Sequence, residues 1–153
     1  MKIQKSKSPR IRCFLKDLVV ISLIDSGAEI NVIDAITARN AGIEIIKTEE
    51  IAKAANHLPL DIIGQTAAPV TLKCPTEEGH QMLSLGILLV VNNLGVQCLI
   101  GEPGKQSNNI ICLPKRKLVV FAGGNSIQQA PYFTEKQKYV LARATSNVKL
   151  LPG

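Results

Sequence analysis

The chain has 153 residues, a formal net charge of +6 and no tryptophan, long enough for one domain with its own core plus at most a tail. No apolar run reaches membrane-spanning length, and no apolar h-region follows the basic N-terminus before Lys16 and Asp17. The expected setting is therefore intracellular, neither secreted nor in a membrane.

Cys13, Cys74, Cys98 and Cys112 show no CxxC pairing and no zinc-type spacing with His57 and His80. They read as core thiols in a reducing compartment, with no metal or cofactor expected. Basic clusters at Lys2 to Arg12, Lys115 to Lys117 and Lys136 to Arg143 have, apart from Tyr139, no interleaved aromatics for base stacking. They read as solvated termini and a turn, and nucleic-acid binding ranks last among the functions considered.

In chain order, residues 1–10 read as a flexible leader. Arg12 to Leu15 and Leu18 to Ile24 predict a hairpin around Lys16-Asp17. The second strand is almost wholly apolar and β-branched, hence buried. It ends on Asp25, followed by Ser26-Gly27-Ala28. A carboxylate carried to the end of a core strand is costly to place and points to chemistry. Ile30 to Ile33 resume a strand, Asp34 is an N-cap for a short helix over Ala35 to Asn40, and Gly42 ends that helix.

Strand segments are predicted over Ile43 to Ile46, Glu49 to Ala55 and Leu60 to Ile63, with turn chemistry at Asn56 to Pro59. Val70 to Lys73 is a strand, Pro75 to Gly79 a polar turn and Met82 to Val91 one long apolar strand. Asn92-Asn93 then turns the chain into Leu94 to Ile100. The segment Glu102 to Asn109, with Pro103, Gly104 and two asparagines, is poor helix material and predicts one turn of helix or none. A last hairpin pairs Asn109 to Leu113 with Lys117 to Ala122. Residues 123–153 read as a tail or linker, with helical spacing over Thr134 to Arg143. Many short strands at close intervals indicate an all-β, barrel-like domain over residues 11–122.

Leu23-Ile24-Asp25-Ser26-Gly27-Ala28 resembles the active-site motif of the retropepsin-like aspartic proteases of retroviruses and retrotransposons. Val96 to Gly101 is similar to the hydrophobic-hydrophobic-Gly strand that packs beneath that loop, placing Leu99, Ile100 and Gly101 as its support. Ala54 to Leu60, leading to Ile63-Gly64, is similar to the flap hairpin. The resemblance spans roughly Ile11 to Phe121. It implies a closed β-barrel with a flap and one or two short helices, homodimeric, acting as an endopeptidase on a retroelement polyprotein.

In such enzymes one carboxylate acts as base on a water while its protonated twin donates toward the peptide carbonyl. The aspartates are Asp17, Asp25, Asp34 and Asp61, and Asp25 alone precedes Ser-Gly. One chain supplies half a dyad, and a twofold dimer completes it. The resemblance assigns Ser26 a hydrogen bond to the partner loop; the residue alone reads as a turn serine. Gly27 either lets its amide approach the carboxylate or meets a positive φ. Ala28 and Glu29 are expected in the cleft, with Glu29 equally readable as an exposed loop acid. Asn56, His57 and Leu58 are expected to touch an extended polypeptide substrate from the flap tip. A flap without glycine and a weak segment after Gly101 leave a competing reading, a catalytically silent dimerisation or peptide-binding domain.

Overall fold

In the computed structural model, residues 8–48, 60–123 and 126–132 are described. The chain opens with an antiparallel hairpin of β1 (Arg10–Leu15) and β2 (Leu18–Ile24), in register from Arg10 opposite Leu23 to Leu15 opposite Leu18. Lys16, at φ 55°, makes the turn. β1 takes in Arg10, which is buried, so the leader ends one residue earlier than the sequence indicates.

Beyond Asp25 the chain does not fold straight back onto β2. It returns as β3 (Val32–Asp34), then α1 (Ala35–Asn40) and β4 (Ile45–Ile46). The expected cap is in place: the Asp34 side chain accepts from Ile36 N, and Gly42 follows the helix at φ 72°. The second Asp34 oxygen accepts from Leu94 N at 3.1 Å, tying the cap to the loop after the 89–92 strand.

β5 (Asp61–Thr66), β6 (Val70–Thr76), β7 (Gly79–Gly86), β8 (Leu89–Asn92) and β9 (Cys98–Ile100) follow. The single strand expected over Met82 to Val91 is two strands, β7 and β8. Gly86 at φ 70° breaks it, leaving Ile87 exposed and Leu88 wholly buried. The polar turn expected over Pro75 to Gly79 is confined to Glu77-Glu78, because β6 continues through Pro75, which pairs with His80.

These strands form one sheet of nine, in the order β4-β5-β8-β3-β9-β2-β1-β6-β7. β9 is inserted between β2 and β3, parallel to the first and antiparallel to the second. The connection from β2 to β3 must therefore pass over the end of β9. Among the described residues β4 and β7 do not pair with each other, so the sheet is a curled, open one and the expected closure of a barrel is not formed by them.

After Gly101, α2 (Glu102–Ser107) leads to a three-stranded sheet of β10 (Ile110–Leu113), β11 (Leu118–Gly123) and β12 (Ser126–Pro131). Two expectations are corrected here. The 102–109 segment does form a helix, with proline in its first turn where a missing N–H costs nothing. Residues 126–131 are no tail: Leu118 pairs with Pro131 through to Gly123 with Ser126. The strand also docks on the β6–β7 turn, where Glu77 N donates to Gln129 O and Gln129 N to Glu78 Oε1. Backbone pairing along an edge needs no apolar side chains, so a polar Ser-Ile-Gln-Gln segment hides it.

The larger apolar cluster includes Ile11, Val20, Ile33, Leu72, Leu83, Ile100 and Phe121. A smaller one gathers Leu23, Ala28, Val32, Val91, Leu94, Val96 and Leu99, with Leu60 and Ile62 against it. All four cysteines are free; Cys13, Cys74 and Cys98 are buried core thiols and Cys112 is half-buried. No helix among the described residues is long and apolar enough to cross a membrane. The expected flap tip and the 134–143 helix lie outside the described residues.

Candidate active site

β2 delivers Asp25 to the end of the sheet at 7% exposure, while the next two residues, Ser26 and Gly27, are exposed. The strand ends here because its pairing is used up. Asp25 N donates to Ile100 O at 2.9 Å, the last bond to β9, and Asp25 O then accepts from Ala28 N at 3.1 Å to close a turn. Gly27 N donates to Asp25 Oδ1 at 2.9 Å, which fixes the orientation of the carboxyl group. Gly27 is not at positive φ, so of its two readings the amide approach is the one that holds.

Ala28 is buried in the smaller apolar cluster rather than open to a cleft, and its carbonyl accepts from Glu102 N at 2.8 Å. Glu29 is exposed. Leu99 and Ile100 are buried, and Gly101 lies directly under the loop. A β-carbon on Gly101 would collide with Ile30 O and stand 2.7 Å from Ala28 O. Only glycine allows β9 and the loop to approach this closely. Asn56, His57 and Leu58 lie outside the described residues.

Asn31, which sequence reasoning passed over, binds these parts together. Its Oδ1 accepts from Gly101 N at 2.9 Å and Gly104 N at 3.2 Å, and its Nδ2 donates to Leu85 O at 3.2 Å. One carboxamide thus joins the end of the loop, the start of α2 and β7. Lys105, also missed, reaches from α2 to donate to Ser26 Oγ at 2.9 Å. Gln97 Oε1 accepts from Ile21 N at 2.8 Å, supporting β2 from beside β9.

No protein-family model and no curated protein matches the sequence. Among solved structures the chain is similar to the retroviral protease-like domain of Ddi1 from Leishmania major. The TM-score is 0.60 at 14% identity, over 84% of this chain and 96% of that one. The fold is retropepsin-like. Within that retropepsin-like fold, the strand-to-turn placement of Asp25 and the inserted β9 beneath it carry the local geometry described above.

Proposed function

We propose that the chain is an aspartic endopeptidase of retropepsin type, working as a homodimer in which Asp25 of each copy supplies one carboxylate of the dyad. The observation that carries this reading is Asp25 itself. It is buried at the end of a core strand, hydrogen-bonded by the Gly27 amide, and followed by two exposed residues of its loop. In the proposed dyad one carboxylate takes a proton from water while its twin, protonated, donates to the peptide carbonyl; two carboxylates sharing one site do not both ionise.

No other aspartate of the chain is placed to be the twin. Asp34 uses both oxygens on Ile36 N and Leu94 N, and Asp61 accepts from Asn92 Nδ2. Asp17 sits at the opposite end of β2, roughly 26 Å away along an extended strand. The edge strand β10 has β11 on one side and, among the described residues, no strand on the other, with Ile111 49% exposed. Such an edge favours pairing with a second chain. The substrate is an extended polypeptide, of which a retroelement polyprotein is one class, bound between the loop and a flap bearing Asn56, His57 and Leu58.

The test is cleavage of a peptide library by purified protein. The expected outcome is an acidic, bell-shaped pH profile that Asp25→Asn abolishes while the mutant keeps its fold and mass. A wild-type dimer that binds extended peptides and never cleaves them supports the silent-domain reading instead.

A further inference from the structure

We propose that Lys105 is a positioning residue that aims the Ser26 hydroxyl toward a second copy of the chain; the inference rests on the homodimer reading above. α2 is fixed at its start by three hydrogen bonds to two acceptors, Gly101 N and Gly104 N on Asn31 Oδ1 and Glu102 N on Ala28 O. That anchoring sets where Lys105, half-buried on the same short helix, can reach. Its Nζ donates to Ser26 Oγ at 2.9 Å.

An ammonium group has three donors and no acceptor. The Ser26 oxygen must therefore accept from Lys105, and its own proton is directed away from the ammonium. Ser26 is exposed in the single chain, adjacent to a carboxylate that is not. The hydroxyl is thus held as an outward donor at the place where two Asp25 loops would meet. A serine without this neighbour would rotate freely between donor and acceptor roles, and two such serines facing each other across a twofold would have to lose that freedom on association. Lys105 also brings a positive charge to a loop region that otherwise carries Asp25, Glu29 and Glu102, and this offsets like-charge repulsion when two copies approach.

The effect is read on association, and it counts twice because each dimer contains two copies. The experiment measures the dimer dissociation constant by sedimentation, and cleavage per active dimer, for the full chain and for Lys105→Met, Lys105→Arg, Ser26→Ala and the Lys105→Met/Ser26→Ala double variant. Thermal unfolding of each variant checks its fold. Lys105→Met is expected to raise the dissociation constant about tenfold, the scale of two modest exposed hydrogen bonds. Lys105→Arg, which keeps charge and donors, is expected to restore it to within about twofold. In the Ser26→Ala background Lys105→Met is expected to add little, since the two groups act through one bond.

A dimer indifferent to Lys105→Met overturns the inference alone. So does a loss of equal size in the Ser26→Ala background, which would make Lys105 a general charge rather than a guide for Ser26. A wild-type chain that stays monomeric at every concentration overturns the dimer reading and this inference with it.

Discussion

The Asn31 carboxamide makes three hydrogen bonds, to groups 54, 70 and 73 residues further along the chain. Replacing it by alanine leaves two backbone amides and a carbonyl without their partner beneath the candidate loop. Each bond contributes about 1 kcal/mol net, and more where the orphaned group stays buried. Asn31→Ala is therefore expected to lower the unfolding free energy by about 2–4 kcal/mol in urea titration. A loss below about 0.5 kcal/mol, the size of an ordinary surface substitution, would contradict the role given to it. Asp25 and Gly27 were legible in the sequence because strand, acid and turn follow one another directly. Asn31 was not, because everything it touches is distant in sequence and an asparagine after a loop reads as a loop residue. Lys105 was hidden for the same reason, its partner being 79 residues away.

At the scale of elements, α2 sets propensity against packing. Glu-Pro-Gly-Lys-Gln-Ser is a weak helix former, yet the segment is helical because Asn31 and the Ala28 carbonyl take up its first free backbone groups. Gly104 separates the two effects. Alanine there would gain about 1 kcal/mol of helix propensity. Its β-carbon, however, would stand 2.8 Å from Asn31 Oδ1 and 2.9 Å from Ile100 Cγ2. Gly104→Ala is expected to destabilise the fold, with a lower melting temperature, because the close approach outweighs propensity. A rise in melting temperature would show that the helix is held by its own sequence instead. The α1 cap, the β1–β2 turn and the β10–β11 hairpin were all readable, since each is specified by neighbouring residues. β12 and the break at Gly86 were not, for they depend on which edge or cluster the chain meets.

For the molecule as a whole, the open sheet of nine strands and its buried thiols give a pH dependence of stability. Burial pushes the Cys98 thiol up to about 12, while the ordinary value is 9.0. Cys13 is pushed up as well, by its hydrogen bond with Cys74 and then by burial. The same bond lowers Cys74, so the pH window is set by Cys98. Cys74 is the neighbour of Cys13 across β1 and β6, where Phe14 pairs with Lys73. A raised thiol keeps its proton in the folded chain where the unfolded chain would lose it, so the stabilisation is complete below 9 and falls as pH rises toward 12. Urea midpoints are expected to decline across that window, and Cys98→Ala should flatten the decline. The half-buried Cys112 should be alkylated first in the native protein, and the other three only on unfolding.

The sequence indicated an all-β domain with its acid at the end of a core strand, and that architecture is present. Barrel closure was beyond its reach, because which strands lie at the sheet's edges depends on non-local pairing.

The proposed cleavage depends on two copies of Asp25 acting together. The most direct measurement is peptide-cleavage rate against protein concentration, with molecular mass determined on the same samples. Specific activity is predicted to climb with the dimer fraction and to vanish as the chain dilutes to monomer. Full activity in samples whose mass is that of one chain would contradict it.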